Sequence, residues 1–429
     1  MSIQPTSVIP KKFTIGSVPH IDPRTGKENF VVHQLRIYED ICKAYFTAQL
    51  IIEDQLNRTD PYLMPAVQVD IAFQPPNRKT YSERFRIYSI ESKPKENDLV
   101  AGMIITLNLI GEEYYNDTQN TVMENFKNET ATSAASKIHN QFIAENGVLS
   151  VTSSTGLIGQ DEHPHQVLNM KPITAIHQLL DKAVSATWKT SAFTYFRNKD
   201  GYVIKPLEEL LRTSPVVDYF IHKPASSTSL PDTLYGYNNI IHIRPMAPPS
   251  EQTAQGIRSV ELDSLLKTSS FYDMQTGNYF TALNGIKKNV ESFKALRSLA
   301  AQNISNIGAA FLKEAVKTQY GARMIFNSIN EDRQPRQIDK QGPAGYNSAE
   351  EAFLAALAFT KKYWISVPIE SGINVTIGKR INAIYPVETR TTAKTLFVAR
   401  LIHEIQFKTP GSKTFEPVRS TTDMYCVEF

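Results

Sequence analysis

Apolar and polar residues alternate with a period of two through residues 1–115, which predicts strands with one face buried. Phe46, Ala48, Leu50 and Ile52 alternate with Thr47 and Gln49 and run out at Glu53. Val67, Val69, Ile71 and Phe73 repeat the pattern before Pro75-Pro76-Asn77 imposes a turn. Phe85 to Ile90, the polar excursion KPKENDLVAG, and Met103, Ile105, Leu107 and Leu109 complete the series. Short strands with turns between them predict a small barrel or sandwich.

The period changes after Tyr115. NTVMENFKNETATSAASKIHNQFI predicts helix, and Val148 to Gly159 predicts a loop or short irregular hairpin. Ile173, Ile176, Leu179, Leu180, Ala183, Val184 and Trp188 form one helical stripe after Pro172. Asn198-Lys199-Asp200-Gly201 lies between aromatic runs at Phe193–Tyr195 and Tyr202–Ile204, a hairpin signal because Asp-Gly accepts positive φ. Pro206 then opens a short helix ending near Leu211. Residues 215–250 are extended and punctuated by proline, with FIHKPASS and YNNIIHIRPMAPP as their clearest pieces. Ile286, Val290, Phe293, Leu296, Leu299 and Ala300 predict a long amphipathic helix. Ser348 and Glu351 make a capping box for a second helix ending near Trp364. The last 65 residues are again strand-like, through Phe397, Ala399, Leu401, Ile405 and Phe407 to TTDMYCVEF.

The two β regions share an outline. FRIYSIESKPKENDLVAGMIITLNLIGEE and FVARLIHEIQFKTPGSKTFEPVRSTTDMYCVEF each read strand, polar excursion, strand. The expected fold is α+β and β-rich, with two similar antiparallel β-barrel domains, the second split by a helical insertion, and a bridging mixed helical domain. The expected boundaries are 1–115 for the first barrel and 116–211 for the bridge. Residues 212–250 and 365–429 form the second barrel, and 251–364 the largely helical insertion.

Composition adds few constraints. Across 429 residues the net charge is +3, too small to imply bulk affinity for nucleic acid or membrane. No leader-like segment or apolar run of about 18 residues occurs, so the chain is expected to stay in, or assemble in, a cytosol. Cys42 and Cys426 are expected as two reduced, buried thiols, with a long-range disulfide as the alternative.

Catalytic and nucleotide-binding motifs are absent from the sequence, and neither H-E-x-x-H nor a Cys/His cluster occurs. Asp161, Glu162, His163 and His165 are the nearest approach to a metal site, and a solvated loop is the expected state. Glu112 and Glu113 are expected at a solvated strand end, facing opposite ways, which excludes joint acid/base work. His403 is expected as a satisfied core or interface histidine. Lys11-Lys12, Lys287-Lys288 and Lys361-Lys362 are expected on solvated surfaces. No catalytic residue, cofactor or metal ligand is assigned.

Four segments in order resemble the baseplate hub proteins of contractile-tailed bacteriophages. They are LRIYEDICKAYFTAQLIIED, FTYFRNKDGYVIKPLEELL, ISVPIESGINVTIGKRINAIYP and FVARLIHEIQF, the last including His403. The resemblance implies a non-enzymatic virion protein of the tail baseplate, assembled in the host cytoplasm. It implies a homotrimeric ring of six similar barrels that adapts a sixfold tail tube to a threefold central spike. Its implied partners are the spike, the tube or a tube initiator, and possibly tape measure and wedge proteins, with DNA crossing the channel unbound. Three alternatives stand beside it: a tail-associated cell-wall hydrolase, a hub of a non-phage contractile injection system, and a carbohydrate-binding β protein.

Overall fold

The computed structural model describes residues 8–54, 57–75, 79–94, 103–144, 148–159, 164–181, 183–187, 193–221, 239–246, 268–273, 279–283, 324–329, 362–387, 390–407 and 420–428. The first unit contains β1 (Ile9–Ile15), β2 (Val18–Pro19), β3 (Val31–Asp40), β4 (Thr47–Asp54), β5 (Gln68–Gln74), β6 (Tyr81–Pro94) and β7 (Met103–Gly111). Alternation does what the sequence predicts. Phe46, Ala48, Leu50 and Ile52 turn inward with Phe13, Phe73, Phe85 and Leu107 to make one core.

A middle unit follows. It contains α1 (Glu112–Gln119), β8 (Val122–Phe126), β9 (Glu129–Thr130) and α2 (Ala131–Ile138), which continues as a π turn. After it come β10 (Leu149–Val151), β11 (Ser154–Thr155), β12 (Leu157–Ile158), β13 (His165–Met170), α3 (Pro172–Leu180) and β14 (Val184–Ser185). The aromatic hairpin β15 (Phe193–Asn198) and β16 (Gly201–Pro206) and helix α4 (Leu207–Leu211) close it. Helix α2 starts at Thr130, whose side chain accepts from the Ser133 N–H. It packs on α3 around Ala134, Ala135, Ile138, Ile176 and Leu179, all buried.

The last unit contains β17 (Pro215–Ile221), β18 (Asn239–Ile240) and β19 (His242–Met246). Next are β20 (Thr268–Asp273), β21 (Tyr279–Leu283) and β22 (Met324–Ile329), which pair only with one another among the described residues. It ends with β23 (Lys362–Pro368), α5 (Ile369–Gly372), β24 (Arg380–Val387), β25 (Arg390–Gln406) and β26 (Thr421–Glu428). Tyr219, Ile365, Val367, Leu396, Val398, Leu401 and Met424 anchor its core.

The two β units repeat one strand order. In the first it runs β3-β4-β7-β6-β5-β1, and in the last it runs β19-β23-β26-β25-β24-β17. The repeat extends to register. A bulge on β6 between Ile87 and Ser89 faces Leu109 and Asn108, and one on β25 between Val398 and Arg400 faces Cys426 and Tyr425. Each bulge sits two or three residues before the end of its partner strand, Gly111 or Glu428. One direction differs: β1 meets β5 antiparallel, whereas β17 meets β24 parallel.

Several expectations need correction. Val122–Phe126 is a strand paired with β13, not helix. Helix α3 stops at Leu180, and Val184-Ser185 is strand. Trp364 lies in β23, not at a helix end. The 286–300 helix, the Ser348 cap and Trp188 lie outside the described residues. Both cysteines are free; Cys426 is buried as expected but Cys42 is exposed, on the turn after β3. The two sheets run into each other through β25 and β3, and in the last unit β18 pairs with β17 and β19 with β23, with only Ile241 between β18 and β19.

Candidate functional site

The joint between the repeated units is built on one strand. β25 has seventeen residues, long enough to serve both sheets. Residues 390–397 pair with β24, while Arg400 to Gln406 pair antiparallel with β3 from Asp40 to Gln34. β26 takes residues 396–404. Because β26 overlaps both other partners, it occupies one edge, and β24 and β3 lie end to end along the other. Leu396, Val398 and Leu401 enter the last core, and Ile405 and Phe407 the first. Helix α5 crosses the same way, sending Ile369 and Ile373 into the first core.

Polar chemistry fixes the register of this joint. On its outer face Arg400 bonds Asp40 at 2.7 Å, and Arg36 bonds Glu404 at 3.1 Å with Gln34 on the same carboxylate oxygen. On the inner face His403 and Glu39 are each 1% exposed. The His403 imidazole lies 3.6 Å from Glu39 by Nε2 and 2.9 Å from the Thr422 hydroxyl by Nδ1. A one-residue slip would put both polar groups in the wrong environment, so the pair specifies one register.

The aromatic hairpin ties all three cores together. Gly201 takes φ +130, and its cross-strand partner is Asn198, as the Asn-Lys-Asp-Gly signal requires. Both faces are buried. Phe196 and Val203 enter the last core; Tyr195, Tyr202 and Ile204 enter the middle one. Arg197 reaches the first unit, its guanidinium 4.5 Å from the Phe46 ring centroid. It bonds both Glu83 oxygens at 2.9 and 3.0 Å. Its other terminal nitrogen sits 2.6 Å from Glu113, an ion-pair contact without hydrogen-bond geometry. Tyr202 donates to the same Glu113 oxygen at 2.8 Å. Burial alone would lower the arginine pKa; Glu113 and Glu83 outweigh it and hold the group above its ordinary value. Burial raises Glu83, against the pull of Arg197. Lys199 donates to the Ile373 carbonyl at 2.9 Å, linking the hairpin to α5.

A shallow concavity of about 320 Å³ marks the outer face of the first unit. Tyr38, Tyr45, Tyr88 and Tyr114 line it together with Gln49 and Asn108. Tyr45 and Tyr114 meet at 4.8 Å between centroids.

The other singled-out residues are placed as follows. Asp161, Glu162 and His163 lie outside the described residues, and His165 is buried at the start of β13, not solvated. Among the described residues no three acidic, histidine or cysteine groups cluster to hold a metal. Glu112 and Glu113 are not a solvated strand end. They open α1, where the helix dipole favours carboxylates, and Glu113 is buried against Arg197 while Glu112 bonds Arg86 at 2.6 Å. His403 is the buried interface histidine the sequence predicts. Lys12 pairs with Asp70 at 2.8 Å and Lys11 is exposed on β1. Lys362 starts β23; Lys287, Lys288 and Lys361 lie outside the described residues. His139 was not singled out by sequence. It is buried in the middle core, bonds the Tyr195 hydroxyl at 2.7 Å, and is lowered by burial to about 4.

No family profile and no curated protein matches the chain by sequence. Comparison of folds does find a match over the whole length. The crystal structure of the tail protein from Neisseria meningitidis MC58 aligns with a TM-score of 0.52, at 9% identity, over 99% of this chain and 97% of that one. This chain shares the fold of that tail protein. Looser likenesses are the 43 kDa tail protein of prophage MuSo2 from Shewanella oneidensis, with a TM-score of 0.48 at 9% identity over 98% of both chains. Another is an Escherichia coli type VI secretion system component, with a TM-score of 0.42 at 9% identity over 98% of this chain and 77% of that one.

Proposed function

We propose that the chain is a structural hub subunit of a contractile phage tail baseplate, in which three copies close into a ring of six similar β units. The ring joins a sixfold tail tube to a threefold central spike and leaves a channel through which DNA passes. Tube or tube-initiator, spike, tape measure and wedge proteins are its partners in the virion, and assembly takes place in the host cytoplasm.

One observation carries this reading: a repeated strand order whose two copies join head to tail through β25 and β3. Head-to-tail contacts use two different surfaces, so they propagate until rotation closes a ring. Two units per chain turn threefold closure into six similar positions, which is what a threefold-to-sixfold adaptor needs. The likeness to a tail protein supports the same assignment.

The test is the symmetry of the assembled protein. Light scattering at micromolar concentration, with and without the spike, is expected to give a trimer. Cryo-electron microscopy down the axis is expected to show six lobes in a threefold ring. A stable monomer in both conditions, or any other symmetry, refutes the assignment.

A further inference from the structure

The repeat contains one contact that the chain satisfies once and leaves open once. The in-chain joint unites the second half of β25 with the outer edge of β3. By the register of the two bulges, the counterpart of Arg400–Ile405 on β25 is Ser89–Pro94 on β6. By the pairing of β3 to β4 and β19 to β23, the counterpart of the β3 edge is the β19 edge. Arg36 lies opposite Gln49, which pairs with Asn108; Arg244 lies opposite Trp364, which pairs with Tyr425, the counterpart of Asn108.

Both counterpart edges are unoccupied among the described residues. β5 pairs with β6 only as far as Arg86, as β24 pairs with β25 only as far as Phe397. β19 pairs with β23 alone. An uncovered edge is a template for another strand.

We infer that the copy-to-copy contact of the ring is an antiparallel strand pairing between β6, at Glu91–Pro94 of one copy, and β19, at Ile243–Met246 of the next. This rests on the proposed ring and names the surface that closes it. Each copy offers one edge of each kind, so the contact propagates around the ring and leaves none unpaired on closure.

The equivalence also fixes the chemistry. Within the chain, Glu404 lies opposite Arg36 and the two form an ion pair. The counterpart register positions hold Lys93 and Arg244, so the pairing sets two basic residues opposite each other, and like-charged residues directly opposite oppose pairing. Pro94 and Pro245 each withhold an N–H from the ladder. Charge and proline on an open edge are devices that suppress indiscriminate pairing. The contact between copies is therefore the weaker of the two. It closes under the combined constraint of three joints, while the in-chain joint forms with the fold.

A charge-exchange cycle on the full chain tests this, read by sedimentation velocity over a concentration series at low and high salt. Arg244→Glu alone and Lys93→Glu alone each place opposite charges across the contact. Each is expected to lower the concentration of half-dissociation by about tenfold, the summed effect of three cross-strand pairs. Lys93→Glu with Arg244→Glu restores like charges and is expected to return to wild-type weakness. Wild-type trimer is expected to dissociate more readily at low salt, where repulsion is unscreened. Trimers unaffected by either single reversal overturn the contact and leave the ring standing. Monomers throughout, for wild type and every variant and with the spike present as well as absent, overturn both. Association strengthened in the single reversals and lost again in the double reversal supports the contact.

Discussion

Arg197 is one cation between two carboxylates that three different elements deliver. Glu83 comes from β6, Glu113 from α1, and Arg197 itself from β15. Its side chain is 16% exposed and that of Glu113 7%, so removing it strands charge in the interior. Arg197→Met is expected to destabilise the fold by about 3–5 kcal/mol in urea denaturation at pH 7, the usual cost of breaking a buried pair. The sign of its pH dependence follows from Glu83. Burial already places this carboxyl above its ordinary value, and loss of the arginine raises it further. A carboxyl raised in the folded state favours folding below its unfolded value, about 4.3, and loses that advantage as pH rises through the folded value. The deficit of the variant is therefore expected to shrink on titration from pH 7 toward pH 4. An equal deficit at both pH values would remove this carboxylate from the explanation. Sequence gave no hint of the trio, because Glu83, Glu113 and Arg197 are far apart in the chain and only the hairpin brings the third to the others.

Elements were legible where their period was long or their turn chemistry specific. The β15–β16 hairpin followed from Asn198 to Gly201, and β4 to β7 from alternation. β8 was not legible for a geometric reason. Its buried residues, Val122 and Phe126, are four apart, a spacing that shares a face in both helix and strand. β23 misled because Tyr363, Ile365 and Val367 alternate directly after an apolar run that itself reads as helix. The loop before β24 shows how tightly elements constrain one another. Gly378 has φ +77, and a Cβ there would lie 2.6 Å from the tip of the Phe196 ring, at the heart of the aromatic hairpin. Gly378→Ala is expected to cost about 2–4 kcal/mol, from backbone strain together with overpacking. Chemical denaturation measures it, and a loss below about 1 kcal/mol would show that Phe196 moves aside freely.

For the whole molecule, the decisive element is β25, because it belongs to both sheets and both cores. The outer ion pairs of its joint are partly exposed and contribute little each. The inner pair is different, since neither Glu39 oxygen has a hydrogen-bond partner and the His403 imidazole at 3.6 Å is the polar group beside it. His403→Leu is expected to leave a buried carboxylate alone and to uncouple the two β units. Urea unfolding monitored by tryptophan fluorescence and by circular dichroism should then give two separated midpoints in place of one. Coincident midpoints in the variant would show that α5 and the aromatic hairpin couple the units without the joint.

The sequence by itself determined the local states of most β segments, the aromatic hairpin, the burial of His403 and the shared outline of the two β regions. Those depend on period and turn chemistry, which act over a few residues. Only the tertiary structure decided the rest. It showed that the shared outline is a repeated strand order with bulges in matching register. It showed that the two β units share strands, their sheets merging at β25 and β3. It moved Glu113 from a solvated strand end to a buried ion pair. Each depends on which distant strand lies beside which, and side-chain period carries no information about strand partners.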